Sequence, residues 1–223
     1  MRFFKHLLAV AAVASFSLMA STAGASPAAP VNGTDYRTLE KAQQTDSGKK
    51  VEVTEFFWYS CSHCNAFEPS LEAWVKKNAD KIVFKRVPVI FRDSFIPQQK
   101  LYYTIEAMGL VDSMHARIFR AIHVERQTLD TDKQILDFIA KQPGVDIKKF
   151  TEVYNSFGVQ TKVSRAAQLQ AAYKVDGVPM VAVDGRYVTA PSIVGAALGN
   201  RPEAVLHEAT LQVMDHLVAK SAK

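Results

Sequence analysis

Apolar residues along this chain change their period several times, and each change marks an element. Residues 51–59, VEVTEFFWY, are rich in β-branched and aromatic residues. Their apolar character is nearly continuous towards the end, which predicts a strand covered on both faces. From Cys61 the period lengthens. Phe67, Leu71, Trp74 and Val75 recur at helical spacing, so a helix starts at or just before the first cysteine. Residues 82–91, IVFKRVPVIF, read as a second strand that frays or ends near Pro88.

A long stretch of helical periods follows. Leu101, Ile105 and Met108 form one stripe, ended by Gly109. Met114, Ile118 and Ile122 form another, and Ile135, Leu136 and Ile139 a third, broken by Pro143-Gly144. Ile147, Phe150, Tyr154 and Phe157 form a fourth, and a fifth helix spans about Thr161 to Tyr173. These stripes are the core faces of packed helices. Strand character returns in VPMVAVDGRYV, residues 178–188, where Asp184-Gly185 predicts a hairpin. Pro202 opens a last helix through about Ala219. The order is strand, helix, strand, helical block, hairpin, helix: an α/β domain with a helical insertion.

The N-terminus decides how the cysteines are read. MRFFKH is basic, LLAVAAVASFSLMA is apolar, and Ala23-Gly24-Ala25 forms an A-x-A cleavage site. This is the three-part pattern of a secretory signal peptide over residues 1–25, and the apolar run is short for a membrane span. Losing Arg2 and Lys5 with the signal lowers the net charge from +5 to +3. That mild basicity, without any Lys/Arg run, gives no reason to expect nucleic acid. An exported chain meets oxidising conditions, in which disulfides serve as staples. Here there are only two cysteines, Cys61 and Cys64. So short a loop removes little chain entropy, which favours a redox role over a structural one.

A C-x-x-C pair at a strand-to-helix junction has a chemical logic. The first sulfur lies at the helix N-terminus, where free N–H groups and the dipole favour a thiolate, the reactive form in disulfide exchange. Cys61 is therefore the expected nucleophile and Cys64 the resolving cysteine one turn in. His63 between them, protonated or donating a hydrogen bond, would stabilise the Cys61 thiolate further. Only the reduced state contains that thiolate, so the disulfide becomes a better oxidant. Metal is the rival reading. A second C-x-x-C is missing, His115 and His123 are too far apart for a common helical ligand pair, and Asn65 stands where covalent haem would need histidine. No metal and no cofactor beyond a Cys61–Cys64 redox disulfide is expected. Glu55 lies in the apolar first strand, where an unpaired acid is costly; Lys85 in the second strand is its natural partner.

The segments EFFWYSCSHC and GVPMVAVDGRY, with the helical block between them and the signal peptide, resemble the DsbA-type periplasmic thiol:disulfide oxidoreductases of the thioredoxin superfamily. The resemblance covers nearly the whole mature chain. It implies a thioredoxin-like domain made of residues 26–97 and 174–223, with residues 98–173 as the inserted helical domain. It also implies a low-pKa first cysteine and a strongly oxidising disulfide. Val178-Pro179 matches the family's cis-proline loop, which faces the sulfurs and pairs its backbone with substrate. The resemblance assigns Glu55 a proton relay to Cys64, with Lys85 in support. Glu68, one turn past Cys64, reads equally as a second relay group or a solvated helix carboxylate. Ser62-His63 departs from the family's familiar Pro-His and leaves the potential open. The implied partners are reduced, unfolded exported polypeptides and a DsbB-type membrane quinone reductase. About 25 residues precede the first strand in the mature chain, too few for the N-terminal dimerisation domain usual in isomerases of this group, so a monomer is expected. A reductase or isomerase is the alternative activity, and a chaperone-like peptide binder the alternative class.

Overall fold

The computed structural model describes residues 29–222. The signal peptide expected over residues 1–25 lies outside them. Among the described residues, five strands make one mixed sheet: β1 (Arg37–Thr38), β2 (Val51–Phe57), β3 (Ile82–Pro88), β4 (Met180–Val183) and β5 (Tyr187–Thr189). Their order is β1-β5-β4-β2-β3. β2 and β3 run parallel, and the other pairs are antiparallel. β2 has a neighbour on each edge and all seven of its residues are buried, which accounts for its unbroken apolar run. Pairing ends at Phe57, so Trp58 to Ser60 are free to turn the chain into the next helix.

That helix, α1 (Ser62–Lys77), is the crossover that two parallel strands require. Its buried Phe67, Leu71 and Trp74 are the predicted stripe. β3 stops at Pro88, earlier than residue 91, at its pairing with Phe57. A 3₁₀ turn (Asp93–Phe95) leads into five helices: α2 (Ile96–Ala107), α3 (Val111–His123), α4 (Asp132–Ile139), α5 (Ile147–Tyr154) and α6 (Phe157–Ala172). The helical block therefore sits between β3 and β4. One boundary differs from expectation. Ser156 caps α6 by accepting from the Val159 N–H, so Phe157 begins a new helix and points outward, 86% exposed. Gly109 ends α2 at φ +68°, as its lack of a side chain allows.

The hairpin falls where expected, with Asp184 and Gly185 both at positive φ. A methyl group on Gly185 would lie 2.2 Å from the Gln43 carbonyl oxygen, so only glycine lets the N-terminal segment approach the turn. After β5 comes α7 (Pro191–Leu198), which the apolar pattern did not separate, and then α8 (Glu203–Ser221). Two cores hold the sheet. Phe56, Phe57 and Tyr59 pack beneath Leu101, Ile105, Met114 and Ile118 of the helical block. Val53, Val181 and Val183 pack against Phe67 and Leu71 of α1 and Val213, Met214 and Leu217 of α8. α1 is thus clamped along its length while its first turn stays at the surface. No helix among the described residues is long and apolar enough to cross a membrane.

Candidate functional site

Cys61 is the N-cap of α1, in extended conformation at φ −79°, ψ 117°. Its Sγ accepts the Cys64 N–H at 3.4 Å, in the place a serine or aspartate oxygen usually takes. Both cysteines are free thiols. The Cys64 side chain, hydrogen-bonded to Cys61, is the strongest influence lowering the Cys61 pKa, to about 6. Partial burial opposes it; the backbone N–H groups of Cys64 and His63 and then the His63 charge add to it. Cys64 is fully buried, and burial first, then the bond to Cys61, push its pKa well above the usual thiol value. The two sulfurs are therefore opposite in character: an accessible thiolate and a buried thiol.

The Val178-Pro179 peptide bond is cis. Its loop meets the helix start: Cys61 Sγ lies 3.5 Å from the Val178 carbonyl oxygen, to which it donates only while protonated. His63, Val178, Pro179, Pro191, Glu203 and Leu206 line a groove of about 340 Å³ beside the sulfurs. His63 is exposed, and its Nδ1 lies 2.7 Å from Glu203 Oε1 in the first turn of α8. The hydrogen bond to Glu203 is the main cause of a raised His63 pKa. The imidazole reaches Cys61 as a charge, while the His63 backbone N–H supplies the hydrogen bond.

Beneath the cysteines, Glu55 is completely buried in β2. Its partner is Arg86, not Lys85: Arg86 Nε donates to Glu55 Oε2 at 3.0 Å. Register explains the correction. Glu55 stands opposite Arg86 and Thr54 opposite Lys85, and successive side chains of a strand point to opposite faces. Lys85 instead pairs with Glu52 at 2.8 Å and with Asp46, outside this site. Burial first, then the nearby Glu68 charge, raise the Glu55 pKa to about 8 against the pull of Arg86. Glu68 is no solvated carboxylate; it is 6% exposed and accepts from Arg86 at 2.5 Å. Burial opposes its ionisation, but the His115 ring and Arg86 hold its pKa below the usual value.

His115 of α3 lies 3.4 Å from Glu68 and hydrogen-bonds the Tyr59 hydroxyl at 2.8 Å. His123 bonds the Tyr59 carbonyl at 2.8 Å, so α3 fixes the turn leading to Cys61. Arg86, His115, His123 and Glu203 were not singled out as site residues. An arginine in an apolar strand was a visible signal; the other three depend on packing between distant segments.

A reactive C-x-x-C at the first turn of a helix, in a mixed sheet and against a cis-proline loop, defines a thioredoxin-fold dithiol enzyme. The model of the DsbA-like thioredoxin domain matches residues 52–210, and the chain belongs to that family of thiol:disulfide oxidoreductases. The chain is 46% identical to the thiol:disulfide interchange protein DsbA of Burkholderia cepacia over 205 residues, 92% of each chain. It is 40% identical to that of Bordetella parapertussis over 221 residues, 99% of this chain and 98% of the other. Its backbone superposes on crystalline Pseudomonas aeruginosa DsbA with a TM-score of 0.75 at 35% identity, covering 84% of this chain and 92% of the other. The fold is thioredoxin-like with a helical insertion.

Proposed function

We propose that the protein donates a Cys61–Cys64 disulfide to reduced, folding polypeptides exported to the periplasm. A substrate thiolate attacks Cys61 Sγ; the Cys61–Cys64 bond breaks and the electron pair leaves on Cys64. Cys64 takes up a proton, supplied by Glu55, whose pKa of about 8 keeps it mostly protonated at neutral pH. Arg86 holds the Glu55 carboxyl in place, the part first given to Lys85. A second substrate thiolate then attacks the substrate sulfur of the mixed disulfide and expels Cys61 as a thiolate. The substrate has lost two electrons and the dithiol has gained them. Val178 and Pro179 form the wall along which an extended substrate pairs its backbone. A DsbB-type membrane quinone reductase restores the disulfide, and the protein acts as a monomer with no other cofactor.

The observation that carries this reading is the placement of the two sulfurs: Cys61 caps the helix and accepts the Cys64 N–H, which favours its thiolate, while Cys64 is fully buried, which favours its thiol. A reduced state that holds a stable thiolate favours reduction of the disulfide, and that is the property of a donor. The direct test is the equilibrium of the Cys61–Cys64 couple with glutathione. An oxidising couple supports donation, and a couple as reducing as a cytosolic thioredoxin would assign the protein to reduction instead. Cys64→Ala should accumulate mixed disulfides through Cys61, since nothing remains to resolve them from within. Non-reducing gels and mass spectrometry read the adducts, and adducts in Cys61→Ala at Cys64 would reverse the two roles.

A further inference from the structure

The histidine of the C-x-x-C dipeptide is tied to the far end of the chain. Glu203 Oε1 lies 2.7 Å from His63 Nδ1 and 3.6 Å from His207 Nε2, one turn further along α8. His207 is buried, with its ring 5.0 Å from the ring of Phe67 in α1. Its Nε2 makes no hydrogen bond among the described residues. One carboxylate thus stands between an exposed imidazole in the redox dipeptide and a buried imidazole under the same helix.

We propose that Glu203 is a positioning residue for the redox pair, holding His63 as an imidazolium at the start of α1 while His207 backs the carboxylate from below. The proposal rests on the disulfide-donor reading and adds to it that α8 sets how strongly the Cys61 thiolate is stabilised. An exposed imidazole in water is largely neutral at pH 7. A carboxylate at hydrogen-bond distance favours its charged form. The His63 pKa is raised accordingly.

Among the described residues, the charged and titratable groups facing His63 are few. Cys61 stands on its own helix, Glu203 and His207 come from α8, and Arg201 lines the same groove from the segment before α8. Burial lowers the His207 pKa, so His207 is neutral near pH 7 and competes weakly for the carboxylate at 3.6 Å. Glu203 has two opposed effects on Cys61. Its own negative charge disfavours a thiolate, and its grip on His63 favours one. The His63 charge lowers the Cys61 pKa, and on this proposal that indirect effect exceeds the direct repulsion.

Those opposite signs make the test decisive. Glu203→Gln, which keeps the shape of the side chain, is made in the full chain with His63 present and again with His63→Ala. With His63 present, NMR titration should show the His63 pKa falling towards the ordinary value. Thiolate absorbance should show the Cys61 pKa rising, and the glutathione equilibrium should shift towards a less oxidising couple. In the His63→Ala background the same change should leave the Cys61 pKa unmoved or lower it. A fall or no change in the first background overturns the proposal, and so does an equal rise in both. An ordinary His63 pKa in the unmodified protein overturns it without any variant. These titrations need no substrate. Failure of the unmodified protein to oxidise a reduced polypeptide would count against the functional reading and leave this one to be decided on its own.

Discussion

At Cys61 the thiolate is stabilised mainly by its immediate neighbours: the Cys64 side chain and the N–H groups of residues 63 and 64. His63 adds a charge from a ring that is turned to Glu203. His63→Ala should therefore weaken the oxidant and not abolish it. The Cys61 pKa should rise by less than about one unit, which is under roughly 30 mV for a two-electron couple. Thiolate absorbance and the glutathione equilibrium measure the two changes. Glu55 is the other residue whose state matters. Its pKa in the folded protein is raised to about 8 from an ordinary 4.5. Between those values the folded state binds a proton that the unfolded state has released, so this group costs stability as pH rises across that window. Glu55→Gln should remove the cost. Its stability relative to the parent should increase from about pH 4.5 to pH 8 and then level off. The kinetic counterpart is a slower, differently pH-dependent protonation of Cys64. Parallel stability curves for parent and variant across this window would exclude a buried neutral Glu55.

Among the elements, β3 shows how much was legible. Its existence followed from composition, but its register did not. One position decides whether Lys85 or Arg86 meets Glu55, and the apolar Phe84 and Val87 on either side of the pair carry no information about that choice. The consequence is a contrast in stability. Arg86 is mostly buried and serves both Glu55 and Glu68. Arg86→Met would leave the buried Glu68 carboxylate without its cation and the buried Glu55 carboxyl without its hydrogen-bond donor, a change that typically costs about 3–5 kcal/mol. Lys85 is partly exposed and pairs with the exposed Asp46 and with the buried Glu52, which also accepts from the Asp46 N–H, so Lys85→Ala should cost less than Arg86→Met. Denaturant unfolding of the two variants checks the order, and a larger loss at Lys85 would refute the assigned register. The same reasoning explains the other misses. β1 has two residues, too few to show a period, and α7 is a short apolar helix of eight residues almost directly after a strand. His115 and Glu203 come from α3 and α8, and only tertiary packing brings them to the C-x-x-C helix. What was legible is what α1 carries in consecutive residues: the two cysteines, His63 and the helix start.

For the whole molecule, the redox state and the stability of the fold are linked through one proton. The ordinary Cys61 pKa is 9.0 and the folded value is about 6. This group's folded pKa is depressed, so its contribution to the reduced protein is fully present above pH 9 and is lost as pH falls through 6. The oxidised protein has no such group. The reduced form should therefore gain stability relative to the oxidised form as pH rises from about 6 to 9. Each pH unit in that window contributes at most ~1.4 kcal/mol, less where water solvates the partly exposed thiolate in both states. At pH 7 the expected gain is thus on the order of 1 kcal/mol. A disulfide also stabilises a fold by restricting the unfolded chain, and even a loop this short contributes up to about 2 kcal/mol of that effect, but that contribution does not change with pH. The expected outcome is a difference in thermal or denaturant midpoint between the two forms that shifts in favour of the reduced protein as pH increases from about 6 to 9 and becomes constant below pH 6. Glu55 titrates in both redox states, so its pH dependence largely cancels in the comparison. If that difference does not change with pH across the range, Cys61 is not held as a thiolate in the reduced fold.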